Sequence, residues 1–243
     1  MPHIIELQPA YLLHSRPYRD SSLLLDFLTP EFGRVSAISR GIRSGKNRNK
    51  ALIQVFTPVQ ISFSGKGELK TLRQIEPRGF YTSLSGNKLF SAMYVNEIVV
   101  RLFNSHESDP AFFAFYSETI LRLGQCESNN EIEPVLRIFE MGLLEALGYG
   151  IDFYTEARSH DAIEDSAQYY LQEDTGFIKM YNAAENKATG SEKLFYGEDL
   201  LKIGDRDFSA EKTRRAAKHI LRQLLGYYLG DRPITSRTLY SRN

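Results

Sequence analysis

The chain has 243 residues, 30 Lys and Arg against 30 Asp and Glu, and a single cysteine, Cys126. One cysteine excludes a disulfide within the chain and a zinc site built on several thiolates, and it is typical of a reducing compartment. No apolar run reaches the roughly 20 residues that span a bilayer, and the N-terminal residues lack the pattern of a signal peptide. The sequence therefore predicts a soluble cytoplasmic protein with no membrane partner.

The charges are segregated along the chain although they sum to zero. Residues 1–82 carry a net charge of +6, residues 83–208 carry −12 and residues 209–243 carry +6. The basic N-terminal and C-terminal segments are suited to binding a polyanion, which the acidic middle segment would repel. The alternative is that surface charge simply varies between domains.

Short strands separated by turns are predicted for residues 6–80. The clearest, 55–63, alternates apolar and polar residues, and Pro58 within it predicts an edge strand or a bulge. A hairpin turn at 64–67 leads into a fifth strand at 69–75. Five short strands fit a small Greek-key barrel, and the OB-fold is the common barrel of this kind that binds nucleic acids. An SH3-like barrel has a similar strand count, so the pattern alone leaves both open.

Helical periodicity begins after Pro77. Three helices are predicted, near 89–103, from Asp109-Pro110 and from Glu133-Pro134, and the short links between them suggest a bundle. Further along, we expect a hairpin over 168–180 and a short helix over 191–203. The last helix is predicted to begin near Ser209, which is a favourable N-cap residue.

The sharpest local feature is a run of six cations in 17 residues that contain no acid. Its members are Arg34, Arg40, Arg43, Lys46, Arg48 and Lys50. A flexible cationic loop beside a barrel can follow the phosphates of a nucleic acid, although it can also serve only to keep the surface solvated. Two further groups are predicted to extend DNA binding: Lys66, Lys70 and Arg73 on the next hairpin, and Arg215, Lys218 and Arg222 on the last helix. The helix group is equally compatible with a solvated face.

Catalytic and metal-binding patterns are missing from the sequence. The His residues show no metal-ligand spacing, and no nucleophile motif accompanies any of them. We therefore expect no catalytic residue, no metal and no cofactor, and a protein that is not an enzyme.

In the acidic middle, Arg137 lies one turn after Glu133 and one turn before Glu140 on the third helix. The simpler interpretation is a surface ion pair, which contributes little to stability. The alternative is an anchor for the carboxylate of an incoming peptide.

Blocks of sequence over nearly the whole chain resemble the RecO family of bacterial recombination mediators, and they occur in the family's order. The main ones are Leu13-His14-Ser15-Arg16-Pro17-Tyr18, Gly33-Arg34-Val35, Phe56-Thr57-Pro58, Tyr94-Val95-Asn96-Glu97, Arg137-Ile138-Phe139-Glu140, Leu147-Gly148-Tyr149-Gly150 and Tyr228-Leu229-Gly230. The resemblance implies an α+β protein. A five-stranded OB-fold over 1–80 precedes an α-helical domain formed by 81–150 and 204–243, with a small inserted β element at 151–203.

The resemblance also implies a function in recombinational DNA repair. It implies binding to single- and double-stranded DNA, annealing of complementary strands without ATP, and help in loading RecA onto strands coated by single-stranded DNA-binding protein. The implied partners are RecR, RecF, the acidic, Phe-ended C-terminal tail of the coating protein and, indirectly, RecA. The family's tail-binding basic residue falls on Arg137.

One departure from the family concerns the inserted element. Many relatives carry zinc-binding cysteines there, and this chain has none. We therefore expect no zinc and a hydrogen-bonded or apolar substitute core. Two other functions stay open, a protein-only adaptor in a repair complex and an OB-fold protein that binds RNA.

Overall fold

The computed structural model describes residues 4–42, 51–79, 82–103, 108–181, 193–230, 232–236 and 239. The chain divides into two compact units. Unit 1 combines Met1–Ile132 with Pro233–Asn243, and unit 2 is Glu133–Arg232. The domain boundaries given above rest on composition and resemblance, and they stay a prediction.

Unit 1 contains a closed five-stranded barrel with the strand order β1-β2-β3-β5-β4. The strands are β1 (Ile4–Tyr18), β2 (Ser22–Thr29), β3 (Gly33–Ser39), β4 (Pro58–Ser64) and β5 (Leu69–Pro77). The long β1 closes the barrel because it pairs with β2 through its C-terminal half and with β4 through its N-terminal half. β3 and β5 pair in parallel. The predicted OB-fold barrel is confirmed.

The barrel core consists of the inward-facing residues of these strands. Along β3, buried Val35 and Ala37 alternate with the more exposed Arg34 and Ser36, as expected for a strand with one face on the core. One predicted boundary is wrong, because β4 begins at Pro58 rather than near residue 55. The preceding Phe56 has a φ of 66°, which interrupts an extended strand, and a proline is tolerated as a first strand residue.

Two helices of unit 1 pack on the barrel, α1 (Gly86–Leu102) and α2 (Pro110–Gln125). The Asn96 side-chain amide donates to the Leu13 carbonyl oxygen at 2.8 Å, and the Tyr116 hydroxyl donates to Asn96 Oδ1 at 2.6 Å. All three residues are buried. Because buried polar groups need their partners, this chain of bonds fixes both helices to β1.

The segment 233–236 is also attached to α1. The Glu97 carboxylate accepts the backbone N–H groups of Thr235 and Ser236, each at 2.7 Å, and Arg101 donates to the Pro233 carbonyl oxygen at 3.0 Å. Burial favours a higher pKa for Glu97, but the hydrogen bonds from Ser236 and Thr235 and the charge of Arg101 outweigh it and lower the pKa.

Unit 2 combines helices with a small sheet. Most of helix α3 (Asn129–Ala146) lies in unit 2; it begins one turn before the predicted Glu133, within unit 1, and contains Pro134. The sheet has the order β7-β6-β8 and consists of β6 (Gln168–Gln172), β7 (Gly176–Lys179) and β8 (Phe195–Tyr196). The predicted hairpin over 168–180 is thereby confirmed.

Two short-range predictions in unit 2 are wrong. Of the helix expected over 191–203, residues 191–192 lie outside the described residues, and the rest contains β8 followed by α4 (Gly197–Gly204). The last helix, α5 (Glu211–Leu229), has Ala210 as its N-cap and not Ser209. The Ser209 N–H is bonded to the Asp207 carboxylate at 3.0 Å, so Ser209 belongs to the turn before the helix. None of the helices within the described residues is long and apolar enough to cross a membrane.

Candidate nucleic-acid interface

The outer surface of the barrel carries exposed cations at its turns. OB-fold proteins bind nucleic acids with their second and third strands and with the loops that follow strands 1 and 4. Lys66 lies in the β4–β5 turn and Arg40 directly follows β3, and both side chains are exposed. Neither side chain has an ion pair or a hydrogen bond within the part of the chain that the structure describes. Both cations are therefore available to phosphates.

The neighbouring cations of β5 are held more firmly. Lys70 Nζ donates to the Gly65 carbonyl oxygen at 3.2 Å, and Arg73 Nε donates to Ser64 Oγ at 2.7 Å. These bonds leave other N–H groups on both side chains, since an ammonium has three donors and a guanidinium five.

A polar cavity of about 430 Å³ lies beside the β1–β2 turn and the end of β3. Its lining includes Tyr18, Arg19, Ser21, Ser22, Ile38 and Arg40. Arg19 has a φ of 51°, and its guanidinium carbon lies 5.3 Å from the centre of the Tyr18 ring. The lining thus contains two guanidinium groups, two serine hydroxyls and the phenol ring of a tyrosine, and it contains no carboxylate. These groups suit a phosphate and a sugar or base next to it.

Sequence reasoning missed Arg19 and this cavity. Arg19 stands next to Asp20 in the sequence and belongs to no run of cations. The signal that could have found it is its place in the first loop of a predicted OB-fold.

Arg34 has a different environment from the exposed cations. Its side chain is 19% exposed, lies 4.0 Å from the buried Asp26 and donates to the carbonyl oxygen of Val100 on α1. The structure therefore gives it a role in joining β3 to α1, while its predicted contact with DNA stays a prediction. The other predicted members of the run, Arg43, Lys46, Arg48 and Lys50, lie outside the described residues.

In unit 2, Arg137 is buried on α3 and is 8% exposed. Its Nη2 donates to Glu140 Oε1 at 2.9 Å, whereas its buried Nε–H has no acceptor within the described residues. A buried donor without an acceptor costs about 1–3 kcal/mol, so the simple surface ion pair considered above does not describe this residue. One turn earlier, Glu133 lies 3.4 Å from Lys218 Nζ and 3.8 Å from Arg214 Nε.

The predicted cations of α5 are partly paired. Arg215 forms an ion pair with Glu211, and Lys218 pairs with Glu133. Arg222 is exposed and has no ion pair within the described residues. The three residues lie in unit 2, and the barrel cations lie in unit 1.

The inserted element is organised by a carboxylate and an apolar core. Glu156 is 3% exposed and accepts the backbone N–H groups of Arg158, Ser159 and Lys179. Burial favours a higher pKa for Glu156, but these bonds outweigh it and lower the pKa. The rings of Phe153 and Phe177 pack with their centres 5.3 Å apart.

This arrangement does not fit the zinc site of the family. Cys126 lies in unit 1, where its thiol donates to the Arg122 carbonyl oxygen, and both oxygens of Glu156 already accept backbone N–H groups. Within the described residues, no group of three or more His, Cys, Asp and Glu could hold a metal ion.

Comparison with known proteins gives a match over almost the whole chain. The family described as Recombination protein O N terminal matches residues 3–81, and Recombination protein O C terminal matches residues 84–238. DNA repair protein RecO of Vibrio atlanticus is 41% identical over 234 residues, which cover 96% of this chain and 93% of that protein. DNA repair protein RecO of Cellvibrio japonicus is 39% identical over 239 residues, which cover 98% and 97%.

Proposed function

The chain belongs to the RecO family of DNA repair proteins, and we propose that it is a recombination mediator that binds DNA and anneals complementary strands without ATP. It helps to load RecA onto single strands coated by single-stranded DNA-binding protein. It acts by binding and positioning, without a catalytic step.

The polar cavity beside the β1–β2 turn is the observation that carries the DNA-binding part of this proposal. Arg19 lies in the loop after strand 1, which OB-folds use for nucleic acids, and Arg40, which follows β3, lines the same cavity. The exposed Lys66 adds a cation at the other such loop. Each cation that meets a phosphate releases condensed counterions, which drives binding without regard to sequence.

Annealing follows from contacts of this type. Phosphate contacts position a strand but do not occupy the edges of its bases, so a bound strand can still pair with its complement. Neutralised phosphates also repel a second strand less. Both effects operate without a nucleotide cofactor.

Recruitment to coated strands is assigned to Arg137. The Arg137 side chain is about 10% exposed beside Glu140, and its guanidinium has further N–H groups that can donate to the carboxylate of a peptide that ends there. We propose that the C-terminal tail of the single-stranded DNA-binding protein binds there. RecR and RecF are proposed as further partners on the basis of the family alone.

The salt dependence of DNA binding tests the proposal. If about five phosphates of a single strand are neutralised, a plot of log affinity against log salt concentration should have a slope of about −3.5. The affinity should then fall about 100-fold between 50 and 200 mM salt. Replacement of Arg40 and Lys66 by alanine should make the slope less negative by about 1.4, since each phosphate contact contributes about 0.7. Arg122→Ala, which removes a cation paired with Glu118 on α2, should leave the slope unchanged. A flat salt response of the unmodified protein would refute the polyanion mechanism.

The tail site is tested with a peptide of the coating protein's tail. Arg137→Lys keeps a positive charge next to Glu140 but removes the planar guanidinium, which can donate two parallel hydrogen bonds to a carboxylate. The affinity for the peptide should therefore fall at least tenfold. Circular dichroism should show an unchanged fold. Unchanged peptide affinity in a folded variant would exclude Arg137 as the anchor.

A further inference from the structure

Three tyrosines form a cluster of rings on the surface of unit 2. The rings of Tyr149 and Tyr228 are stacked, with their centres 4.1 Å apart and their planes 10° apart. The Tyr227 ring stands nearly perpendicular to that of Tyr228, at 5.2 Å and 86°. Tyr149 is 42% exposed and Tyr227 is 56% exposed. We call these three residues the tyrosine platform, and none of them takes part in an interaction proposed above.

The backbone holds the platform at the ends of two helices. α3 ends in a Schellman motif, in which the Gly148 N–H donates to the Glu145 carbonyl oxygen at 3.0 Å. The Tyr149 N–H donates to the Leu144 carbonyl oxygen at 2.7 Å, and Gly148 has the positive φ, 76°, that the motif needs. The other two tyrosines lie in the last turn of α5. The rings are therefore positioned before any ligand arrives, so binding does not have to order them.

The surface around the platform is open. Gly148, Gly226 and Gly230 flank the three tyrosines in the sequence, and a Cβ built at any of them would meet nothing within 4 Å. Among the described residues, no further ring and no cation lies against Tyr149 or Tyr227. The outer face of Tyr149 and the ring of Tyr227 are therefore accessible to a ligand.

Two carboxylates lie beside the platform. Gln223, one turn before Tyr227, donates to Glu173 Oε1 at 2.9 Å and to the Leu171 carbonyl oxygen at 3.2 Å. These bonds hold the β6–β7 turn against α5. Glu173 and Asp174 belong to this turn, and neither has an ion pair in the part of the chain that the structure describes.

Two nearby cations do not cancel this negative charge. Arg206 donates to both carboxylate oxygens of Glu145, one turn before Tyr149, at 2.9 and 3.1 Å, so these two charges neutralise each other. Arg222 lies on another side of α5, about 140° around the helix from Tyr227, because successive helical residues are about 100° apart.

The remaining cation close in sequence is Arg232, which follows α5 and already has an interaction of its own. The position of Asp174 is consistent with its effect on the platform. Burial, and then the two neighbouring tyrosines and Asp174, raise the pKa of the Tyr228 hydroxyl. The unpaired charges beside the rings are therefore those of Glu173 and Asp174, and the potential there is negative.

We propose that the tyrosine platform, with Glu173 and Asp174 beside it, binds an arginine-bearing basic segment of a partner protein. A guanidinium that lies flat on Tyr149 or Tyr227 gains a cation–π attraction, and its N–H groups can donate to the two carboxylates. Arginine is favoured over lysine because the planar guanidinium stacks on a ring. The proposal is independent of DNA binding, since the same carboxylates would repel phosphates.

The test uses the whole protein and a fluorescein-labelled peptide of alternating arginine and glycine residues, followed by fluorescence anisotropy. The unmodified protein should bind this peptide about fivefold or more tightly than the same peptide with citrulline, which has the shape of arginine without its charge. A lysine version should bind with intermediate affinity, because it keeps the charge but loses the planar stacking.

Substitutions within the platform separate the rings from the general charge. Tyr149→Leu keeps an apolar side chain but removes the ring, so the affinity for the arginine peptide should fall about two- to fivefold. Tyr149→Phe keeps the ring and should keep the affinity, whereas Asp174→Asn should weaken it. The matched control is Tyr196→Leu, since Tyr196 is 52% exposed in the same unit and has no ring contact within the described residues. It should bind like the unmodified protein, and circular dichroism should show that all variants are folded.

NMR of the peptide gives a direct readout. Side-chain protons of an arginine that lies over an aromatic ring should shift upfield when the unmodified protein is added. The shift should be absent with a variant in which both Tyr149 and Tyr227 are replaced by leucine.

Three outcomes would overturn the proposal. Equal affinity of the unmodified protein and folded Tyr149→Leu for the arginine peptide would show general charge attraction only. Equal binding of the citrulline peptide would exclude a cation as the ligand. If Tyr149→Leu weakens binding of a fluorescent oligo-dT instead of the peptide, the platform stacks bases. The proposed function is tested separately, by the salt dependence of DNA binding, and the first two outcomes leave it unchanged.

Discussion

Replacement of Glu156 by glutamine should loosen the inserted element. The Glu156 carboxylate accepts three backbone N–H groups, from Arg158 and Ser159 on Oε2 and from Lys179 on Oε1. Glutamine has an NH₂ group in place of one of these oxygens, and this NH₂ cannot accept a hydrogen bond from the backbone N–H that it faces. The remaining hydrogen bonds are then made to a neutral oxygen instead of a charged one.

The expected cost can be estimated from these contacts. Hydrogen bonds to a charged group contribute about 1.5–3 kcal/mol each, and a buried donor without an acceptor costs about 1–3 kcal/mol. The Lys179 bond is long at 3.2 Å and contributes least. Since glutamine retains one acceptor, we expect a loss of about 2–3 kcal/mol in the local opening free energy.

The pH dependence has a defined sign. The pKa of Glu156 is lowered in the folded protein, so its stabilisation is complete above the unfolded-state pKa and is lost as the pH falls through the folded-state pKa. The Gln variant lacks this titration. The difference between the two proteins should therefore be largest near neutral pH and shrink in acid.

Native-state hydrogen exchange is the suitable assay because it reports local opening. The Ala157 N–H donates to the Phe177 carbonyl oxygen at 2.9 Å, and its protection should fall by about 30- to 150-fold in Glu156→Gln. Glu164→Gln is the matched control, since Glu164 is 61% exposed and pairs with Lys179 at the surface, and it should cost well under about 1 kcal/mol. Equal protection in both variants would show that the Glu156 bonds do not organise the element.

Three further predictions concern packing and metal. Gly197→Ala should destabilise unit 2 by more than about 2 kcal/mol, because a Cβ there would lie 2.0 Å from the Glu164 carbonyl oxygen. Gly226→Ala, where a Cβ meets nothing within 4 Å on an exposed helix position, should stabilise the protein by up to about 1 kcal/mol; the two melting temperatures should thus move in opposite directions. Tyr116→Phe should cost about 1–3 kcal/mol in chemical denaturation, because it leaves the buried Asn96 oxygen without its donor, and an unchanged midpoint would contradict the network. A chelator such as EDTA should leave the melting curve unchanged, and a drop in melting temperature would reveal a structural metal.

The barrel could be predicted from sequence because short apolar or alternating runs are separated by clear turn signals, although only some of them, such as β3, alternate strictly. The start of β4 could not, since it depends on Phe56, a buried aromatic residue held at a φ of 66°. A bulky residue adopts that backbone only when the surrounding packing stabilises it, and packing is not visible in a local pattern. Residue type alone also favours Ser209 as an N-cap, but its N–H is bonded to the Asp207 carboxylate two residues earlier, so Ser209 belongs to the turn before the helix.

The candidate site could be predicted as a set of charges but not as an arrangement. The run that begins at Arg34 identifies the barrel as basic, but the packing of Arg34 against α1 depends on contacts far apart in sequence. The cavity at Arg19 and the burial of Arg137 are likewise products of the tertiary fold. Glu156 gave no signal, because the direction of three backbone N–H groups decides its role.

Two variants prepare the test of the central proposal. The first removes the charges of Arg43, Lys46 and Arg48 by alanine substitution. The control removes the same number of charges from cations that are paired with acids, Arg122, Lys179 and Lys202.

The decisive measurement is the annealing rate of complementary oligonucleotides coated with the cognate single-stranded DNA-binding protein, followed by fluorescence without any nucleotide. The unmodified protein and the control should accelerate annealing, and the basic-run variant should lose most of the acceleration. If the unmodified protein does not accelerate annealing while it still binds the coating protein, a protein-only adaptor replaces the mediator.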